Sequence, residues 1–391
     1  METMKTLRLL AVMTLCALPA SARAETRDVS LKAPDGTSLK ATYSSPGKPG
    51  PGIVLLHMCN SQRKAWTHLA ELLTAQGFHT IALDYRGFGE SGGGSLDGLD
   101  PGERRQFVQE KWPGDIDAAF DFLVAQTGVD RSRVGAAGGS CGVDNAIQLA
   151  RRHPDVKALV LLAGGTTSSG EDFLARSPWL PIFASAAADD GTAVDTMRWL
   201  VGFSSGALNR LQEYPNGGHG TEMFAVHKDL EPAIVSWFDR HLVKSPVHVS
   251  ASTTATPGPS ARQSAALREP GGAARVLEEW RAAQKAGRTF PLAPEATVNA
   301  LGYEYLQTSR VTDATGLFEL NVEAHPASAN TYDSLADAYL AAGNRAKAVE
   351  FARKALDTLS RDKTTPDDFK QQIRESAEDK IRLAGSGSER R

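Results

Sequence analysis

The stretch Gly138-Gly139-Ser140-Cys141-Gly142 separates a short apolar segment, residues 134–138, from a segment with helical spacing, residues 144–152. A G-x-S-x-G pattern between a strand and a helix forms a turn so tight that its flanking positions accept almost only small residues, and the turn raises the serine hydroxyl above the sheet. The helix N-terminus beneath the turn favours developing negative charge. We therefore predict a strand–turn–helix unit that presents Ser140 as a nucleophile.

Two other assignments of the nucleophile are less favourable. The segment Gly89-Glu90-Ser91-Gly92-Gly93 also matches the pattern, but more Gly and Ser follow it instead of a helix, which predicts a glycine loop. Shifting the frame by one residue would make Cys141 the nucleophile and would place the β-branched Val143 at a crowded position. Ser140 is therefore the preferred candidate.

Outward from this turn, strand-like and helix-like segments alternate along the first part of the chain. The predicted strands are residues 52–57, 78–84, 134–138, 158–163, 182–186 and 210–214, and the predicted helices are residues 66–77, 116–127 and 144–152. Such alternation predicts an α/β fold, a mostly parallel sheet with helices on both faces. Because ligands bind at the carboxyl ends of the strands in such sheets, the partners of Ser140 are expected at that edge.

A serine nucleophile needs a base, and the base needs an acid that orients it. His219 lies in a glycine-rich loop, residues 216–220, whereas the other His residues after Ser140 lie on helical segments or in and beyond a linker. Asp189 and Asp190 follow the predicted strand at 182–186. The spacing favours Asp190 as the acid and leaves Asp189 as its rival, so we predict a triad of Ser140, His219 and Asp190.

The oxyanion of an acyl transfer requires two backbone N–H donors, one after the nucleophile and one in the loop after an early strand. The first donor is Cys141. The second comes from His57-Met58-Cys59-Asn60, with Cys59 as the candidate and His57 as a structural residue. In an oxidising compartment Cys59 and Cys141 could form a disulfide across this oxyanion hole, and free buried thiols are the alternative. The mechanism needs no metal and no cofactor.

These segments together resemble one known superfamily. The matching stretches are residues 55–57, 84–91, 138–142, 188–190 and 218–220. They are similar to the α/β-hydrolase superfamily over about residues 26–242, and the short core resembles its dienelactone-hydrolase-like branch, although dienelactone hydrolases carry Cys where this chain has Ser140. The resemblance implies an enzyme, a serine hydrolase that cleaves an ester, lactone or related acyl bond of a small molecule. A serine peptidase of the same superfamily and a catalytically silent scaffold are the alternatives.

The first 24 residues have the layout of a secretory signal peptide. Lys5 and Arg8 precede an apolar run, residues 9–18, and the cleavage site Ala22-Arg23-Ala24 follows. The apolar run is too short to span a bilayer stably. We expect cleavage after Ala24, no stable membrane span in the mature protein, and a periplasmic or secreted location.

The chain changes character after the predicted hydrolase domain, which covers residues 25–244. Residues 245–272 are rich in Ser, Thr, Ala and Pro, a composition that predicts a flexible linker because it cannot bury enough apolar surface to become ordered.

Residues 273–385 have helical spacing, with flanking helices expected at 273–287 and 366–383, and they repeat one pattern after 34 positions. Its members are Leu301, Tyr305 and Ala314, followed by Leu335, Tyr339 and Ala348. This period resembles tetratricopeptide (TPR) repeats. A protein partner on a concave face is one interpretation. Packing on the N-terminal domain or a dimer contact is the other.

Composition limits the class of partner. Of the 391 residues, 41% are hydrophobic and 23% are charged, as in a folded soluble protein. The net charge of −3 argues against nucleic-acid binding, because the phosphate backbone requires a basic surface. Three Cys exclude a disulfide-rich scaffold and a multi-cysteine zinc module.

Overall fold

The computed structural model describes residues 24–96, 98–203, 208–245, 256–288, 290–362 and 367–385. The predicted signal peptide lies outside the described residues, apart from Ala24. Among the helices of the described ranges, none is both long and apolar enough to cross a membrane.

The N-terminal domain is built on a sheet that has eight strands in the described part of the chain. They are β1 (Glu25–Lys32), β2 (Ser38–Ser45), β3 (Gly50–Leu56), β4 (His79–Asp84), β5 (Val129–Gly139), β6 (Val156–Leu162), β7 (Ile182–Ala187) and β8 (Arg210–Tyr214). The spatial order is β1-β2-β4-β3-β5-β6-β7-β8, with β2 antiparallel to both of its neighbours and the strands from β4 to β8 parallel. The predicted α/β fold is confirmed.

The burial of the strands explains which of them the sequence could predict. Every residue of β3 and of β4 is buried, as expected for parallel strands that are covered on both faces. Strands β1 and β2 were not predicted from the sequence. Strand β1 buries only Val29 and Leu31, so this polar edge strand carries a weak apolar signal.

Helices lie around the sheet, and a side-chain cap fixes the start of one of them. Within the described ranges they are α1 (Thr67–Gln76), α2 (Pro101–Val124), α3 (Cys141–Arg152), α4 (Ser168–Arg176), α5 (Ala193–Val201), α6 (Met223–Val226) and α7 (Leu230–Phe238). Helix α2 starts well before the predicted helix at 116–127. The Asp100 side chain accepts the N–H groups of Gly102 and Glu103, and Glu103 accepts the Asp100 N–H, so this capping box starts the helix at Pro101 even though Pro113 lies inside it.

The second region is all-helical. Its described helices are α8 (Pro259–Arg268), α9 (Gly272–Lys285), α10 (Glu295–Gln307), α11 (Val311–Ala324), α12 (Ala329–Ala341), α13 (Arg345–Arg361) and α14 (Asp367–Gly385). Helices α10 and α11 pack together, as do α12 and α13, and the six recurring residues are all buried. The assignment of these pairs to TPR repeats stays a prediction.

The predicted flexible linker, residues 245–272, is wrong over part of its length. Residues 246–255 lie outside the described chain, but α8 is an ordered helix that packs on α4. The Gly258 N–H donates to the Phe203 carbonyl at 2.9 Å, and the Ser264 hydroxyl donates to the buried Glu171 carboxylate at 2.9 Å. Composition alone predicted disorder, whereas these long-range contacts order the segment.

One apolar cluster joins the two regions of the chain. It contains Leu174, Trp199 and Phe203 from the N-terminal domain and Ala261 and Leu267 from α8. Because these side chains share one buried core, the helical region is held against α4 and α5, beside the carboxyl edge of the sheet.

Candidate active site

Ser140 occupies a strained turn between β5 and α3. Its backbone has a φ of 53° and a ψ of −122°, a conformation that is rare for a residue with a side chain. The Ser140 N–H donates to the Leu162 carbonyl at 2.9 Å, which ties the turn to the end of the neighbouring strand β6. The turn therefore holds the serine at the carboxyl edge of the sheet, as the sequence predicts.

The two flanking glycines make this turn sterically feasible. A Cβ atom on Gly138 would lie 1.9 Å from the Gly142 carbonyl oxygen, and a Cβ atom on Gly142 would lie 2.3 Å from the Leu56 carbonyl oxygen. Neither approach is compatible with a side chain, because the obstructing atoms belong to the backbone. The glycines of the G-x-S-x-G pattern are therefore required by close packing.

The second match to the pattern has a different structure. Ser91 donates its hydroxyl to the Asp84 carbonyl at 2.6 Å and accepts the Lys40 N–H at 2.8 Å. No helix begins at Gly92, and the segment is a loop. Ser91 therefore ties this loop to strands β2 and β4 and does not present a free hydroxyl.

His219 and Asp190 meet in the loops that follow β8 and β7. The Nδ1 atom of His219 lies 2.6 Å from Asp190 Oδ2, and this hydrogen bond is the main reason that the pKa of His219 is raised. Asp189 points elsewhere and accepts the N–H groups of Gly217 and Gly218 at 3.0 and 3.3 Å. Of the two candidate acids, Asp190 contacts the imidazole and Asp189 shapes the loop that carries it.

The histidine loop and the nucleophile turn converge at Met58. The Thr221 hydroxyl donates to Met58 Sδ at 3.7 Å, and a Cβ atom on Gly139 would lie 3.2 Å from Met58 Cγ and 3.6 Å from Thr221 Cγ2. Within the described residues no hydrogen bond joins the Ser140 hydroxyl to His219. A nucleophile–base hydrogen bond of this kind often tightens only when substrate is bound.

The two candidate oxyanion donors are covalently linked. Cys59 and Cys141 form a disulfide between residues 82 positions apart in the chain, and their Cα atoms are separated by 5.7 Å. Cys141 is the first residue of α3, where backbone N–H groups have no carbonyl partner within the helix. The disulfide therefore holds the two residues that carry the candidate donors next to each other.

His57 positions the loop that contains Cys59. Its Nε2 atom accepts the Tyr85 N–H at 3.2 Å, so the ring proton is on Nδ1, which donates to the Met58 carbonyl at 2.6 Å. Burial lowers the pKa of His57 to about 4, which keeps the ring neutral. The sequence expectation that His57 is structural agrees with this geometry.

A buried ion pair that the sequence analysis missed anchors the far end of the same loop. The Arg63 guanidinium contacts the Asp84 carboxylate, and both side chains are almost completely buried. Asp84 also accepts the backbone N–H groups of Arg63 and Glu90, at 2.7 and 3.0 Å. The only sequence signal was Asp84 at the end of a predicted strand, since the partner lies 21 residues away.

Cavities lie on both sides of this constellation. One of about 500 Å³ includes Asp190, His219 and Ala163 in its wall. Another of about 830 Å³ is bordered by Met58 and Asn60, which lie in the loop after β3, and by residues of α1. The described residues contain no cluster of three or more His, Cys, Asp or Glu side chains that could hold a metal ion.

Residues 47–189 match a family model described as Hydrolase_4, serine aminopeptidase, S33. The matched segment includes Cys59 and Ser140 and ends before Asp190 and His219. The N-terminal domain has an α/β-hydrolase fold. Together the fold and the family match support a serine hydrolase of the α/β superfamily.

The curated relatives that match this chain are described only as uncharacterised proteins. A protein of Mycobacterium tuberculosis is 30% identical over 158 residues, which is 40% of this chain and 51% of that protein. A 31.7 kDa protein of Escherichia coli is 32% identical over 111 residues, which is 28% of this chain and 36% of that protein. The chain thus spans about half or less of the length of these relatives.

Solved structures give a more distant likeness. An esterase of Pyrococcus furiosus is 17% identical, with a TM-score of 0.45, and the alignment covers 56% of this chain and 92% of the esterase. A dienelactone hydrolase of Anabaena variabilis is 18% identical, with a TM-score of 0.43 and coverage of 56% and 99%.

Proposed function

We propose that this protein is a serine hydrolase that cleaves an ester, lactone or related acyl bond, with Ser140 as nucleophile, His219 as base and Asp190 as the orienting acid. The observation that carries the proposal is the 2.6 Å contact between His219 and Asp190 in the loops beside the strained turn of Ser140. Three residues from separate strand ends are placed in the chain order that this fold uses for a triad.

The roles follow from the positions of the atoms. The Ser140 Oγ attacks the acyl carbon while His219 Nε2 takes its proton, and the Nδ1–H of His219 donates to Asp190. Asp190 holds the imidazole in the required tautomer and stabilises the imidazolium. His219 then returns the proton to the leaving group, and a water molecule, activated by the same imidazole, releases the acyl group from Ser140.

The charge of the tetrahedral intermediate develops on the former carbonyl oxygen. The N–H groups of Cys141 and Cys59 would donate to this oxyanion, and the disulfide holds the two residues that carry them. Loss of one such donor typically costs a factor of about 10²–10³ in kcat. Preorganised donors are effective because they do not have to reorient during the reaction.

Labelling with a fluorophosphonate tests the nucleophile. The wild-type protein should become covalently labelled, and Ser140→Ala should lose both the label and at least about 10³-fold of its activity on a small nitrophenyl ester. Ser91→Ala is the matched control, because it alters the other G-x-S-x-G serine and should keep the label. An unlabelled wild-type protein would favour the catalytically silent scaffold.

The family description favours one second candidate, a serine peptidase of the same superfamily. A panel that pairs nitrophenyl esters with aminoacyl nitroanilides separates the two activities, because each series releases a coloured leaving group, nitrophenolate or nitroaniline, that is quantified with its own extinction coefficient. Faster turnover of the anilides, relative to the esters, would assign the peptidase activity.

A further inference from the structure

Helix α10 lies at the same edge of the sheet as Ser140. Glu304 on α10 accepts a hydrogen bond at 2.6 Å from Ser168, the first residue of α4 after strand β6. The preceding Thr167 donates its N–H at 3.0 Å to Asp144, in the first turn of the helix that Ser140 caps. A chain of contacts therefore leads from the helical region to the nucleophile turn.

A cavity of about 1420 Å³ separates α10 from the loop after β7. Gly191 and Thr192 line it on one side, and the same two residues line the smaller cavity that contains Asp190 and His219. The cavity exceeds the volume of about 300–1,000 Å³ that is typical of sites for drug-sized molecules. It is large enough for a bulky portion of a substrate whose reacting bond lies at Ser140.

The wall formed by the helical region combines apolar side chains with acidic ones. Glu295 and Glu304 contribute carboxylates, and the described lining contains neither Lys nor Arg. Glu295 accepts hydrogen bonds from Ser328 and Asn330 at 2.9 and 3.1 Å. Hydroxyl and amide donors orient a carboxylate but leave its negative charge in place, so this wall favours cations over anions.

We propose that this cavity, which we call the interdomain cleft, is a substrate subsite for a bulky group that carries an ammonium charge. The inference rests on the proposed function, because the ester bond of such a substrate would be cleaved at Ser140. The helical region then determines substrate specificity. Glu295 and Glu304 attract the ammonium group.

A matched series of butanoyl esters tests the charge preference. Their alcohols carry a trimethylammonium, a tert-butyl or a carboxylate group on short, medium or long alkyl linkers. The first two groups have the same shape and differ in charge, and the third reverses the charge. For at least one linker length the ammonium ester should exceed its neutral isostere by about tenfold in kcat/KM, and the carboxylate ester should be slowest. In Glu295→Gln/Glu304→Gln this preference should fall to about twofold or less.

Filling the interdomain cleft gives an independent measurement. Ala300 is exposed on α10 and lines the cleft, so Ala300→Trp should lower kcat/KM for the preferred ammonium ester by about tenfold and leave nitrophenyl acetate hydrolysis unchanged. Ala282→Trp is the control, because Ala282 is exposed on α9 outside the cleft. Circular dichroism spectra and thermal unfolding curves of both variants verify that the fold is intact.

The outcomes separate failure of the subsite from failure of the proposed function. If Ser140 is labelled and nitrophenyl acetate is hydrolysed, but the three charge classes react equally and Ala300→Trp has no selective effect, the subsite proposal is overturned. If Ser140 is not labelled and no ester is cleaved, the proposed function itself is overturned, and the subsite proposal with it.

Discussion

At the scale of single residues, two neighbouring carboxylates have separate tasks. Asp190 bonds to the imidazole of His219, whereas Asp189 accepts two backbone N–H groups of the loop that carries this imidazole. Both residues lie in the turn after β7, and their side chains have different partners. Substitution at the two positions should therefore have unequal effects on the reaction.

The paired variants Asp190→Asn and Asp189→Asn test this division. Asp190→Asn should lower kcat by about 10³–10⁴-fold, because an amide does not stabilise the imidazolium and can favour the wrong tautomer. Asp189→Asn should cost about tenfold or less, since its remaining carbonyl oxygen still accepts an N–H of the loop. Steady-state kinetics on one nitrophenyl ester measure both effects, and equal losses would contradict the assignment of Asp190.

The pH dependence of the reaction should report the same contact. His219 acts as a base only in its neutral form, so activity is lost as pH falls through its pKa, which the hydrogen bond to Asp190 raises. Asp190→Asn removes the carboxylate that raises the pKa of His219, so the acidic limb of the kcat/KM profile should move to lower pH. A limb at the same pH in wild type and variant would show that another group controls it.

At the scale of elements, the disulfide links the loop after β3 to the first residue of α3. The linkage holds together the two segments that carry the candidate oxyanion donors, while His57 and Arg63 hold the loop on either side of Cys59. Each donor therefore has support from its own element and from the covalent bond between the elements.

Reduction of this disulfide should impair turnover more than binding. In Cys59→Ser, kcat for a small ester should fall by about tenfold or more with little change in KM, because the second donor loses part of its orientation. The free energy of unfolding should also fall by about 2–4 kcal/mol, because the closed loop is long.

Dithiothreitol should inhibit the wild type and leave Cys59→Ser unaffected. A titration of free thiols verifies that the disulfide has been reduced. A wild type whose kcat survives verified reduction would refute the coupling.

At the scale of the whole molecule, a buried carboxylate joins the two regions. Glu171 on α4 accepts hydrogen bonds from Trp199 Nε1 at 2.8 Å and from Ser264 at 2.9 Å, and Arg268 of α8 lies 3.2 Å away. Burial raises the pKa of Glu171, and its polar partners partly offset that effect. These polar contacts, together with the shared apolar core, hold the helical region on the N-terminal domain.

Removal of this carboxylate should loosen the assembly of the two regions. Glu171→Ala leaves several buried donors without an acceptor and should lower the free energy of unfolding by about 3 kcal/mol. The adjacent and half-exposed Asp172 is the control, and Asp172→Ala should change it by about 0.5 kcal/mol or less. Chemical denaturation gives both free energies of unfolding. Equal values for the two variants would show that Glu171 does not stabilise the contact between the two regions.

Local sequence patterns determined much of this protein by themselves. The glycines around Ser140 predict the strained turn, and the continuous apolar runs of β3 and β4 predict buried parallel strands. The order of Ser, Asp and His along the chain predicts that the three residues lie at the same edge of the sheet. These features are readable because each depends on residues that are close together in the chain. The polar edge strand β1 and its neighbour β2 were not predicted because their apolar signal is weak. The start of α2 at Pro101 was not predicted because its cap, Asp100, precedes the apolar part of the helix.

Only the tertiary structure decided between alternatives whose local patterns are equivalent. Asp189 and Asp190 share the same segment, and the partner of each depends on a loop about 29 residues away. The disulfide joins residues 82 positions apart, and α8 is ordered through contacts with Glu171, 93 residues before Ser264. Distances of this kind follow from how the strands, loops and helices pack against each other, and chain spacing does not encode them.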